Sequence, residues 1–201
     1  EKYAEALHSA GRVLIADGAH GAHLAFEQGR RGYAGVYADM WVESAHKSLP
    51  SLTQGAAVLL NDLSLEEKLK EGLSVFRTTS PSYPVMASVE FGYKYVAANP
   101  QAVAAVKSAV NDFKAKWPDY RFYPSADYTK LCLDCAPLAV DSRILAHKLE
   151  KSGVYCEFAD GRYIVFYLSV ATTAAHFRAL AKAREKALKQ RGVRGTYVRR
   201  A

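Results

Sequence analysis

Three short apolar runs, none with polar alternation, constrain the first half of this chain more than any other feature. They are Arg12-Val13-Leu14-Ile15-Ala16, Met40-Trp41-Val42 and Ala56-Ala57-Val58-Leu59-Leu60. Each is too short for a helix. Continuous apolarity suits strands buried on both faces, in a sheet covered by helices. Between the first two runs, Asp17 to Gly35 is loop-rich, with Gly18, Gly21, Gly29, Gly32 and Gly35, and the third run ends in the turn signal Asn61-Asp62. Three strands are fewer than the roughly five or six of an ordinary sheet. A sheet that small leaves edges open, so residues 1–84 read as part of a larger domain.

Helices follow from other signals. Residues 2–9 read as the end of a helix. Ser64-Leu65-Glu66-Glu67 has the form of a capping box, with Ser64 as cap and Glu67 reaching back, and predicts a helix to about Glu71. Thr78 to Pro84 is expected to be irregular, because Pro81 and Pro84 bracket hydroxyl residues. Helices are predicted near 85–98 and 100–117. In the second, Val103, Val106, Val110, Phe113 and Trp117 form one apolar stripe.

From Pro118 the pattern changes. Tyr120–Tyr123 and Lys130–Asp134 are strand-like, and Ser142–Lys151 is helical with Ile144, Leu145 and Leu149 inward. Val154–Phe158 and Tyr163–Leu168 are predicted strands flanking the turn Asp160-Gly161. Residues 172–190 form a last helix, with Phe177, Leu180 and Leu188 on one side. The expected organisation is therefore residues 1–117 with the connecting helices, a small α+β domain over 118–190, and a basic tail over 191–201.

Composition excludes some classes. Half the chain is apolar and 23% is charged, which fits a folded globular protein. There is no apolar run of about eighteen residues, so no membrane span is expected. Residues 1–15 lack the basic start and apolar block of a signal peptide. The formal charge of +7 sits largely after residue 178. It reads as a solvated helix face, with no nucleic-acid signature beside it. Cys132 and Cys135 form a C-x-x-C inside a predicted strand without a second pair. They read as free thiols rather than a metal or disulfide pair, in a reducing, cytoplasmic setting.

The candidate chemistry lies at the ends of the first two runs. Asp17 follows one; Ser44-Ala45-His46-Lys47 follows the other, about thirty residues later. A restrained lysine amine suits a Schiff base, and hydroxyls with glycine amides suit a phosphate. A carboxylate against a pyridine nitrogen favours its protonated form, the state in which pyridoxal phosphate (PLP) best stores electrons. Ala19 is small enough for a flat ring to lie close. His20 and His23, beside an acid and a glycine loop, mark the same region as a site. Exits of strands in α/β sheets are where such groups gather.

Three motifs carry a resemblance. Asp17-Gly18-Ala19-His20-Gly21-Ala22-His23, Ser44 to Gly55, and Thr79-Ser80-Pro81-Ser82-Tyr83-Pro84-Val85-Met86-Ala87-Ser88 occur in order. Together they resemble the major domain of the Orn/Lys/Arg decarboxylases, and Asp127-Tyr128-Thr129-Lys130-Leu131 resembles that family's small-domain entry. The resemblance implies a fold type I (aspartate aminotransferase-like) α/β large domain followed by a small α+β domain. It implies PLP as cofactor, no metal, and a homodimer or higher homo-oligomer with the site at the subunit interface. Lys47 would hold PLP as a Schiff base, Asp17 would pair with the pyridinium nitrogen, and Ala19 would pack on a ring face. His20 would belong to the cofactor site. Ser44 and His46 would lie near the phosphate and the reacting carbon, and Thr79 and Ser80 would reach a phosphate in the partner subunit. The implied reaction is decarboxylation of lysine, arginine or ornithine.

The sequence departs from the family pattern in two ways. Gly18 stands where the family usually has an acid. Before Asp17 the chain also has no counterpart of the family's phosphate-cradling loop or of its ring-stacking residue, so the chain resembles a portion of such an enzyme. Two other readings stay open: an aminotransferase-like enzyme, for which Arg162 is the candidate to hold a substrate carboxylate, and a catalytically silent chain that associates with a partner. Glu157 and Asp160 are candidates for a distal amine.

Overall fold

The structure is a computed structural model and describes residues 1–117, 121–125 and 127–189. The expected basic tail lies outside the described residues. The chain forms two compact units, Glu1–Val103 and Ala104–Ala201. Their division falls within one helix.

The first unit starts with α1 (Lys2–Ser9) and holds a three-stranded sheet of β1 (Ile15–Asp17), β2 (Met40–Glu43) and β3 (Ala57–Leu60). β1 pairs parallel to β2, and β3 pairs antiparallel to it. The registers Ala16↔Trp41↔Leu59 and Asp17↔Val42↔Val58 assign each side chain to a face. Trp41 packs with Tyr33, Ala38, Leu14, Ala16, Leu24 and Leu59 in the core of this unit. The opposite face carries Ile15, Asp17 and Val58.

That face corrects one expectation. β1 and β3 are not buried on both sides: Ile15 of β1 is 64% exposed and Val58 of β3 37%. The apolar run reflects strand propensity and one packed face, with the second left in water.

Two helix boundaries also differ from the expected ones. Asp62, not Ser64, is the cap: its Oδ1 accepts the Ser64 N–H at 2.9 Å. Ser64 lies inside a 3-10 turn, Leu63–Leu65, and α3 runs Glu66–Phe76, past the expected end at Glu71. Glu67 pairs forward with Lys70 at 2.9 Å instead of reaching back. α4 runs Tyr83–Ala98 and takes Pro84 into its first turn, where a missing N–H costs no helical hydrogen bond. α5 spans Pro100–Lys116, with Val103, Val106, Val110 and Phe113 buried.

The second unit is built on a four-stranded antiparallel sheet in the order β4 (Arg121–Phe122), β5 (Lys130–Asp134), β7 (Tyr163–Tyr167), β6 (Phe158–Ala159). Period-two alternation turns Leu131 and Leu133 of β5, with Ile164 and Phe166 of β7, inward. α6 (Ser142–Glu150) adds Leu145 and Leu149; α7 (Ala174–Lys189) adds Phe177, Leu180, Ala183 and Ala187. The rings of Phe113 and Phe177 meet with centroids 5.2 Å apart. The strand expected over Val154–Phe158 shrinks to Phe158–Ala159, after Gly153 at φ +75°. All three cysteines are free; Cys135 is buried and burial pushes its thiol up to about 12.

Candidate active site

β1 and β2 run parallel, with Asp17 opposite Val42. Their carboxyl ends are therefore neighbours, and the loops that follow leave the sheet at one end. Main-chain hydrogen bonds join these loops: Gly18 N–H donates to the Val42 carbonyl at 2.9 Å and Ser44 N–H to the Ala19 carbonyl at 3.2 Å. The glycine at 18 has a packing reason, since a Cβ there would lie 3.1 Å from the Val42 carbonyl oxygen.

The Asp17 carboxylate is exposed, and its Oδ1 accepts the Ala19 N–H at 2.9 Å, which pins the start of the loop. Ala19 is half-buried and His20 exposed, whereas His23 is fully buried in the turn Ala22–Phe26. His23 therefore belongs to the packing of this unit and not to a surface site.

Ser44 stands at the head of α2 (Ala45–Ser48), a single helical turn. The Lys47 N–H donates to the Ser44 carbonyl at 3.0 Å, and Leu49 N–H to the Ala45 carbonyl at 2.8 Å. Ala45, Ser48 and Leu49 are buried while Lys47 is exposed, so a fixed turn presents the amine outward. His46 Nδ1 lies 2.8 Å from the Gly55 carbonyl oxygen. A carbonyl only accepts, so Nδ1 carries a proton and the neutral ring keeps its lone pair on Nε2.

The structure thus joins Asp17, Ala19, Ser44, His46 and Lys47 through two hydrogen-bonded loops. Thr79 and Ser80 lie in a separate exposed segment ahead of α4, where Ser80 N–H donates to Thr78 Oγ1 at 3.2 Å. They take no part in the hydrogen bonds that join the Asp17 and Lys47 loops.

Sequence reasoning missed what lies beneath Lys47. Glu43, the last residue of β2, is fully buried on the core face. Its Oε1 accepts the Trp41 indole N–H at 2.7 Å, and its Oε2 accepts the Tyr93 hydroxyl from α4. The Tyr33 hydroxyl is close enough to Glu43 to feel its charge. Burial, and then the Glu43 charge, push the Tyr33 hydroxyl up to about 12. Burial and the hydrogen bond to Glu43 raise Tyr93 as well. Both hydroxyls keep their protons, and Tyr93 donates its own to Glu43. The available signal was the lone acid closing the run Met40-Trp41-Val42.

α4 also touches the loop after Lys47. Ser88 Oγ lies 3.1 Å from Ser51 Oγ and accepts the Leu52 N–H at 3.0 Å. At Gly92, a Cβ would lie 3.3 Å from the Pro50 carbonyl oxygen and 3.4 Å from Leu49 Cβ, so helix and loop approach closely.

Two other candidates are already engaged. Arg162 grips Asp134 with two hydrogen bonds, Nε at 3.1 Å and Nη2 at 2.9 Å. Asp160 Oδ1 accepts the Arg162 and Tyr163 amides at 2.8 and 2.7 Å. Among the described residues, no group of three or more His, Cys, Asp or Glu could hold a metal ion. No helix among them is long and apolar enough to cross a membrane.

The chain is 26% identical over 174 residues to the uncharacterized protein YaaO of Bacillus subtilis, covering 80% of this chain and 36% of that protein. It is 33% identical over 101 residues to the arginine decarboxylase of Halalkalibacterium halodurans, covering 49% of this chain and 21% of the relative. The chain therefore spans about a third or less of these relatives. Among solved structures, the constitutive lysine decarboxylase of Escherichia coli matches with TM-score 0.73 and 17% identity over 86% of this chain and 32% of that one. The serine palmitoyltransferase of Sphingomonas wittichii matches with TM-score 0.71 and 16% identity over 92% and 49%. The mixed α/β fold is thus that of the fold type I PLP enzymes. Residues 1–117 match the family described as Orn/Lys/Arg decarboxylase, major domain. This chain belongs to that family of PLP-dependent decarboxylases.

Proposed function

We propose that this chain supplies the lysine-bearing side of a PLP site for decarboxylation of a basic amino acid: lysine, arginine or ornithine. The observation that carries the reading is the pair of hydrogen-bonded loops at one end of parallel strands, with an exposed carboxylate on one and an exposed amine on the other. The donor set fits the cofactor. Lys47 Nζ would hold it covalently through its aldehyde carbon, and Asp17 would face the ring nitrogen. Ala19 and His20 would line the ring, and Ser44 and His46 the phosphate side. Thr79 and Ser80 would serve a partner copy, in a homodimer or larger homo-oligomer. Bound PLP supplies a sink for the electron pair released when the substrate carboxylate departs.

The chain's own residues do the rest. The α2 turn fixes where the Lys47 amine stands, an orientation effect. The Gly55 carbonyl fixes the His46 ring, leaving Nε2 able to accept a proton and return it. The aminotransferase-like reading loses its carboxylate-binding candidate, because Arg162 is committed to Asp134. A silent, partner-binding chain is the second reading.

Absorbance provides the test. The purified chain mixed with PLP should develop a band at about 420 nm, and Lys47→Ala should lack it. A band that survives Lys47→Ala would refute the assignment of Lys47. No band in the parent chain would favour the silent reading. Where the band forms, release of CO2 from lysine, arginine or ornithine identifies the substrate.

A further inference from the structure

The mount beneath Lys47 is more elaborate than a loop of this length needs. Two contacts are ordinary: Ser88 takes the Ser51–Leu52 backbone, and Gly92 lets Leu49 and Pro50 pack against α4. The third is not. A carboxylate is expensive to bury without partners. Here one lies fully buried one residue before Ser44, and two donors from separate elements converge on it. Trp41 comes from the same strand and Tyr93 from α4, and the Tyr33 ring packs against Trp41. An apolar residue at position 43 would suit the neighbouring core of Tyr33, Ala38 and Trp41 and would require neither donor. Buried charge networks of this kind often contribute less to stability than an apolar replacement, and hold geometry instead.

We infer that Glu43 and Tyr93 are positioning residues for Lys47: the carboxylate-to-hydroxyl bond locks the end of β2 to α4 and so sets the height and direction of the Ser44–Lys47 turn. Ser88, Gly92 and Tyr93 occupy positions on α4 four and one residues apart, so a single helix holds the turn from both ends. Glu43 reaches it before the lysine; Leu49, Pro50 and Ser51 reach it after. The reading of Lys47 as the PLP-bearing residue underlies the catalytic consequence but not the mechanical one.

Two measurements separate these. Hydrogen exchange of the free chain should show the amides of residues 44–52 exchanging at least tenfold faster in Tyr93→Phe and in Glu43→Gln than in the parent, with β1 and β3 unchanged. Uniform acceleration across the first unit, or none, would overturn the positioning role whatever PLP does. In the PLP-loaded chain, both variants should retain the band that Lys47→Ala lacks. They should lower kcat for decarboxylation about tenfold or more with KM changed less than twofold. Replacing Glu43 by Asp, which keeps the charge but shortens the reach, should recover neither exchange nor kcat. Full recovery with Asp would mean that charge alone matters and would refute the lock.

Discussion

Asp134 and Arg162 illustrate how one pair decides behaviour at a single position. Asp134 is 3% exposed, while Arg162 is half in water. The Arg162 hydrogen bonds, outweighing burial and helped by the Ala136 amide, hold the Asp134 carboxyl below the usual carboxylate range. In the unfolded chain it would titrate at about 3.9. The unfolded state thus binds more protons between the two values. Stability from this pair is complete above the ordinary range and is lost as pH falls through the folded value. Arg162→Ala should cost roughly 2 kcal/mol near neutrality, below the range for fully enclosed pairs, because the guanidinium is partly solvated. It should also flatten the loss of stability between about pH 5 and pH 2, read as urea midpoint against pH. An unchanged acid limb would show that another carboxylate sets it. Gly55 is a second such position. A Cβ there would lie 2.6 Å from Ser51 Oγ, 2.8 Å from Val89 Cγ2 and 3.0 Å from the Leu52 carbonyl oxygen. Gly55→Ala should lower stability by about 1–3 kcal/mol, as overpacking does, seen as a drop in melting temperature.

Among the elements, α4 does most to organise the first unit, and its extent was legible: a helix expected near 85–98 runs Tyr83–Ala98, starting two residues early because Pro84 fits the first turn. Its contacts were not legible. Its partners are far off in sequence: Tyr93 is 50 residues from Glu43 and Ser88 is 37 from Ser51. No local pattern reports contacts at that separation. The Asp17 and Lys47 motifs were legible because each is a continuous string whose chemistry is written in neighbouring residue types. Strands β2, β5 and β7 were legible from apolar runs or alternation, and α6 from its spacing. The capping box over Ser64 failed because Asp62, two residues earlier, competes for the same backbone amide and wins. Removing that winner gives a check: Asp62→Ala should cost about 1 kcal/mol of stability, while Ser64→Ala should cost little. Equal effects in thermal unfolding would restore Ser64 as cap.

At the scale of the whole chain, two compact units predict separate unfolding. The sequence has two tryptophans, Trp41 in the first unit and Trp117 in the second, so each unit has its own fluorophore. In urea, Trp117→Phe should report the first unit and Trp41→Phe the second, with midpoints that differ. Trp41 also donates to Glu43, so Trp41→Phe perturbs the first unit, and hydrogen exchange of the unsubstituted chain, read separately for the amides of each unit, supplies the second probe. Coincident curves by every probe would mean that α5, which runs across the division, couples the units into one transition. The open face of the first sheet has a further consequence. Ile15 on β1 and Val58 on β3 meet water on the sheet face that carries Asp17, and each of these strands pairs only with β2 among the described residues. A wet apolar strand at a sheet edge is a template for another chain's strand. Colloidal behaviour follows: the free chain should cluster as its concentration rises, and Ile15→Lys should keep it dispersed in light scattering.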